Sequence, residues 1–186
     1  MIKSFNNIYP SIDVAAFVSE TSVIIGDVHI GPLSSIWDNV VIRGDVNSIR
    51  IGSRTNIQDL SLLHVTGKKD ASCPGFPLFI GDNVSVGHKV TLHGCRVGNN
   101  AFIGMNAMIM DGVVVGEGAL VAAGSLVTER TVIPPWTLWM GSPAKLKRSL
   151  SEEEKIRSIE RVESYVNLSK TYIKERAGRP LQTITS

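Results

Sequence analysis

Aliphatic residues recur every six positions along most of the chain. The series runs Ile12, Val18, Ile24, Ile30, Ile36 and Ile42, resumes at Ile51, Ile57 and Leu63, then at Ile80, Val86 and Leu92. It closes with Val97, Ile103, Ile109, Val115, Val121, Val127 and Ile133. Four places after each lies a position that is nearly always small or β-branched, such as Ala16, Ser22, Ser34 and Val40 early, and Ala101, Ala107, Val113, Ala119 and Ser125 late. A helix needs a period of 3.6 and a flat strand a period of 2. Neither fits so long a register. A sustained period of six marks a repeat architecture. Each short strand buries one aliphatic residue, the small residue fills a tight corner, and successive coils stack at about the inter-strand spacing of 4.8 Å. Such a solenoid is stabilised by contacts between neighbouring coils and needs its ends covered.

The hexapeptide pattern resembles the left-handed parallel β-helix, in which three hexapeptides make one triangular coil. The expected fold class is therefore all-β, with the solenoid over residues 1–147. Three breaks in register stand out: nine residues from Ile42 to Ile51, 17 from Leu63 to Ile80, and five from Leu92 to Val97. Insertions in a solenoid are expected as loops on one face, often the functional one. The largest places a loop at about 65–79. Pro134 and Pro135 end the strand pattern. Ser151 and Glu154 then form a capping box, and Ile156, Ile159, Val162, Val166 and Ile173 follow at helical spacing. One C-terminal α-helix is expected over about 152–176, within a segment 148–177. It would pack along the prism, over its end, or on a neighbouring subunit. A loose tail, 178–186, follows Gly178 and Pro180.

Composition narrows the partners. The net charge is +2 with 19% charged residues, so no nucleic-acid surface is expected. The apolar region 101–127 is broken by Asn106, Asp111 and Glu117, which argues against a membrane span. The segment Met1–Asn7 has no continuous apolar run, so no secretion signal is expected. Two cysteines, Cys73 and Cys95, fit a reducing compartment, hence a cytoplasmic location. Cys95 reads as a small corner residue, and the role of Cys73 is unreadable. His29, well before the other histidines, reads as a corner residue. Gly116-Glu117-Gly118 lacks the third glycine of a dinucleotide fingerprint, and no Walker loop or Ser-His-Asp signature appears. A small-molecule substrate and no organic cofactor are expected.

The register gives the remaining histidines positions. His64 follows Leu63 and His93 follows Leu92, so the two occupy equivalent places on one face, one coil apart, pointing outward. Imidazole is the commonest transition-metal ligand, and one strand spacing suits two rings on one ion. Arg43, after Ile42, lines up below them. His88 follows Val86 on a different face, with Asp59 one coil below it and Gln58 beside Asp59. The simplest way to bring His88 to the other two is to borrow it from another subunit. Three copies about a threefold axis would build three identical sites.

Arg43-Gly44-Asp45, Asn56-Ile57-Gln58-Asp59, His64, Gly87-His88, His93-Gly94-Cys95, Gly141-Ser142-Pro143-Ala144-Lys145 and Tyr165-Val166-Asn167 together resemble the γ-class carbonic anhydrases. The resemblance implies a homotrimer with Zn²⁺ (Fe²⁺ or Co²⁺ as alternatives) at each interface. His64 and His93 would come from one subunit and His88 from the next. A water on such a zinc loses its proton near neutral pH, and the resulting hydroxide would hydrate CO₂ reversibly. Gln58 would orient that hydroxide, or else pack at a corner. Tyr165 and Asn167 match a family pair near the substrate pocket, or else are helix surface. Arg43 and Asp59 match residues that pair across the interface, and Asp45 would join that network. The chain departs from the family's active archetype. Val46 stands where a glutamate follows the Arg-x-Asp motif, and the 65–79 loop holds no glutamate. Without that acidic proton shuttle, hydration is expected to be slow or absent. Rival readings are an acyl-CoA thioester hydrolase on the same metal site, a non-catalytic metal-binding trimer, and a CoA-dependent acyltransferase.

Overall fold

The computed structural model describes residues 1–70, 72 and 74–178. Cys73 and the expected tail beyond Gly178 lie outside them. The chain winds as a left-handed parallel β-helix followed by one C-terminal α-helix. The inner rows are the hexapeptide residues. Ile42, Leu63, Leu92, Ile109 and Val127 line the first face, Ile51, Ile80, Val97, Val115 and Ile133 the second, and Ile36, Ile57, Val86, Ile103 and Val121 the third. All are essentially inaccessible to solvent. Burying each such side chain stabilises the fold by about 1.5–3 kcal/mol. The small positions fill the corners: Ser22, Ser34, Thr55, Ser61, Ala101 and Ala119 are buried. In the later coils a left-handed backbone residue turns the corners and keeps the same period. Asn100, Asn106, Gly112, Gly118, Gly124, Arg130 and Trp136 all have positive φ.

The third face is an eight-stranded sheet, whereas the first two join in one twelve-stranded sheet. The reason lies in the first break of register. The nine residues from Ile42 to Ile51 do not form a loop, contrary to expectation. They lie within one eleven-residue strand, Val41–Ile51, that bends around the corner beside the strand Val23–Ile30. The extra residues are absorbed because Ile49 turns inward beside Val28, both buried, at a bulge in the pairing. The second break does form a loop. Its neck is an antiparallel bridge between Thr66 and Phe76.

The far end is closed by a hairpin, Thr137–Gly141 with Ala144–Ser149, whose antiparallel strand stops the parallel stacking. The β-structure thus runs two residues past position 147. The helix spans Glu152–Gly178, and its capping box is formed: Glu154 N donates to Ser151 Oγ (3.3 Å), and Ser151 N to Glu154 Oε2 (2.9 Å). It lies along the third face, over Phe17–Val18, Ser35–Ile36, Asn56–Ile57 and Ser85–Val86. The buried stripe is only in part the aliphatic one expected. Ser158, Val162, Val166 and Ser169 are buried, while Ile156, Ile159 and Ile173 are exposed. An aromatic cluster sets the rotation. Tyr165 and Tyr172 meet Trp37 edge-on at 5.6 and 5.2 Å between ring centroids, and Phe17 packs beside them. Among the described residues, no helix is long and apolar enough to cross a membrane.

Candidate metal centre

His64 and His93 are direct register partners on the first face, at the ends of the strands Leu62–His64 and Thr91–His93. Alternation sends Leu63 and Leu92 inward and both imidazoles outward. The ring centroids are 5.1 Å apart, and His64 Nδ1 lies 3.1 Å from His93 Nε2. The outer nitrogens are taken by carboxylates. His64 Nε2 is 3.1 Å from Asp45 Oδ1, and His93 Nδ1 is 2.6 Å from Asp111 Oδ1. A neutral imidazole carries one N–H. If each ring donates it to its carboxylate, the two facing nitrogens both present lone pairs at 3.1 Å. That arrangement is repulsive unless a cation lies between them. Two nitrogens on a tetrahedral zinc, each about 2.05 Å from the ion, sit about 3.3 Å apart. The donor set therefore fits a divalent transition metal, with the carboxylate–histidine support common around such ions.

The electrostatics agree. Burial disfavours the charged form of His64, and with Arg43 and His93 nearby this outweighs the pull of Asp45, so its pKa is lowered toward the neutral, ligating form. Burial would raise the Asp45 carboxyl, but bonds from Arg43 and His64 bring it below the usual range.

His88 lies on the third face, as the register requires, just before the left-handed corner residue Lys89. Its Nδ1 is 2.7 Å from Asp59 Oδ2, which leaves Nε2 directed away from the carboxylate. Within one chain His64 and His93 meet and His88 stands apart. Among the described residues, no three His, Cys, Asp or Glu side chains gather as a metal site in a single chain.

Arg43 pairs with Asp45 at 2.6 Å, so Asp45 joins Arg43 as expected and also supports His64. Asp59 supports His88 and does not meet Arg43 within the chain; Arg43 and Asp59 both stay partly exposed. Gln58 is buried on the third face. Its amide donates to Asn56 (2.9 Å), and Asn56 donates to Ser85 (2.8 Å), a packed polar ladder away from the histidine pair. Tyr165 is half-buried against Trp37, where burial and then the charge of Asp59 push its phenol up, so it belongs to the His88 side. Asn167 is exposed and reaches toward Glu163 instead. His29 sits exposed on a strand of the second face rather than at a corner. Cys95 is buried, and burial pushes its thiol far up, leaving no nucleophile.

Asp111 escaped the sequence reading, although it lies eighteen residues after His93, about one coil on. Beside the pair is a cavity of about 350 Å³ lined by Thr91, His93, Met108, Met110, Asp111 and Glu129. Glu129 therefore brings a carboxylate to this side of the centre. Val46, which stands where the family glutamate follows the Arg-x-Asp motif, faces Gly67 of the inserted loop: a Cβ on Gly67 would lie 3.2 Å from that of Val46.

The family model described as "Dynactin subunit 5" matches residues 6–173. Over 175 residues the chain is 47% identical to "Gamma carbonic anhydrase 1, mitochondrial" of Arabidopsis thaliana, covering 94% of this chain and 63% of that protein. It thus spans less than two thirds of that plant relative. A "Carbonic anhydrase" of Geobacillus kaustophilus is 46% identical over 173 residues, covering 92% of this chain and 91% of that one. Among solved structures, a hexapeptide transferase family protein from Anaplasma phagocytophilum superposes with a TM-score of 0.86 at 40% identity, covering 92% of this chain and 98% of that chain.

Proposed function

Since the chain belongs to the γ-carbonic anhydrase family of hexapeptide-repeat proteins, we propose that it is a metal-dependent enzyme of reversible CO₂ hydration, acting as a homotrimer. His64 and His93 of one subunit and His88 of the next would hold the ion, Zn²⁺ first and Fe²⁺ or Co²⁺ as alternatives. The observation that carries this reading is the pair of facing ring nitrogens, 3.1 Å apart, each ring held from behind by a carboxylate. His88, held by Asp59 in the same way, completes a set of three carboxylate-backed imidazoles.

Zinc bound by three neutral imidazoles acidifies a coordinated water to a pKa of about 7. The chain's own groups do the rest. Asp45, Asp59 and Asp111 fix ring orientation, and the lowered pKa of His64 keeps that ligand neutral. Leu62 and Met108, both exposed on the first face, give the site an apolar approach suited to a nonpolar gas. Gln58 and Tyr165 reach the centre from the neighbouring subunit's third face, beside His88. Proton export would fall to Glu129, whose carboxylate lines the cavity next to His93.

The test is stopped-flow CO₂ hydration by anaerobically purified, metal-analysed protein, with and without added Zn²⁺ or Fe²⁺. A metal-dependent rate, lost in His64→Ala, is expected. A rate no higher than the metal-free control overturns the reading. Metal-dependent thiol release from a panel of acyl-CoAs would then move the assignment to thioester hydrolysis.

A further inference from the structure

We infer that the neck of the inserted loop positions a metal ligand: Thr66 orients Asp111, and Asp111 in turn fixes the tautomer and ring angle of His93. The inference rests on the metal-site reading above and gives the insertion a task within that site.

The geometry is a short side-chain relay. Thr66 Oγ1 donates to Asp111 Oδ2 at 2.5 Å, and the other oxygen, Oδ1, accepts from His93 Nδ1 at 2.6 Å. Both carboxylate oxygens are thus engaged, one toward the loop and one toward the ligand. With Nδ1 protonated and held, His93 presents Nε2 as a lone-pair donor toward His64, the tautomer a metal requires.

Thr66 is itself tightly held. Its backbone pairs with Phe76 in both directions, at 3.1 and 3.0 Å. Its carbonyl also accepts from Asn47 Nδ2 at 3.0 Å, and the same amide reaches Pro74 O at 3.1 Å. Asn47 sits on the long strand that bends around the corner, so the scaffold clamps both arms of the neck. The side chain of Phe76 then fills the space over two glycines. A Cβ on Gly94 would fall 2.6 Å from Phe76 Cβ, and one on Gly112 3.0 Å from Phe76 Cε1. The loop therefore gives Asp111 a hydrogen-bond donor on one side and an aromatic wall beside it. Residues 66, 93 and 111, on three different coils, are joined at one spot.

Metal affinity, measured by competition with a chromophoric chelator, and the ¹⁵N shifts of the His93 ring in metal-free protein test this together. Asp111→Ala is expected to weaken metal binding about 10–100-fold and to shift His93 away from its Nδ1–H tautomer. Thr66→Val should move both readouts in the same direction by less, and Thr66→Ser, which keeps the hydroxyl and guards against a folding defect, should restore them. Unchanged affinity and tautomer in Asp111→Ala and Thr66→Val, while His64→Ala loses the metal, overturn the inference and leave the metal site standing. A wild-type protein that takes up no metal, yet loses the Nδ1–H tautomer in Asp111→Ala, supports the positioning role and overturns the metal-site reading instead.

Discussion

At the scale of single residues, stacking decides which side chains meet. Arg43, His64 and His93 were legible as one column because each follows an inward aliphatic residue, and alternation leaves no choice of face. Asp111 was not legible by that arithmetic. The five-residue step from Leu92 to Val97 shifts the register, so that Leu92 pairs with Ile109, 17 residues on. Asp111 consequently sits one position past His93's own column, beside Gly94, whose backbone is left-handed at φ +49°. The carboxylate reaches His93 across the space that a side chain at 94 would occupy. Gly94→Ala would put a Cβ against Asp111 Oδ1 and Phe76, on a backbone that disfavours any Cβ. A loss of about 1–3 kcal/mol, read as a lower thermal midpoint together with weaker metal retention on dialysis, is the expected outcome. A variant as stable and as metal-retentive as the parent would contradict the packing around Asp111.

At the scale of elements, local signals fixed the ends of the helix better than its face. Ser151 and Glu154 mark its start in sequence and form that cap in the structure. Arg148 and the cap hold Glu154 from its usual 4.5 down to about 2. A carboxylate whose pKa is lower in the folded state contributes stability above its unfolded value, and loses it as pH falls through the folded one. The helix start should therefore fray between about pH 4.5 and 2. Ser151→Ala, costing about 1 kcal/mol, should begin that fraying at higher pH. Protection factors of the amides at 152–156, corrected for the intrinsic pH dependence of exchange and followed across this window, check it; protection that does not change with pH would refute the role of the cap. The buried stripe keeps Val162 and Val166 but not the three isoleucines, because aliphatic spacing is local, whereas rotation was decided by Trp37 and Phe17, contributed by distant coils. The first break of register was misread for a similar reason. Nine residues look like a loop until the neighbouring strand Val23–Ile30 offers its backbone for pairing.

At the scale of the whole molecule, the histidines divide between faces. One chain brings two ring nitrogens together and holds the third elsewhere, so the proposed three-histidine site would be a property of the assembly. A mixing experiment separates this from a site closed within one chain. His64→Ala and His88→Ala trimers should each be inactive and metal-poor. Unfolded together in equal amounts and refolded, three quarters of the trimers would be mixed, each with one intact interface. About one quarter of the sites should return. No recovery in metal content or hydration would argue against a shared site.

The sequence by itself determined the solenoid, its coil boundaries, the pairing of His64 with His93 and the separation of His88, because a six-residue period converts position along the chain into position on a prism. Tertiary structure alone decided which carboxylates back the imidazoles, how the long strand absorbs its extra residues, which stripe of the helix is buried, and that the inserted loop clamps onto Asp111. Those outcomes depend on side-chain reach and on backbone partners from other coils, which no repeat period encodes.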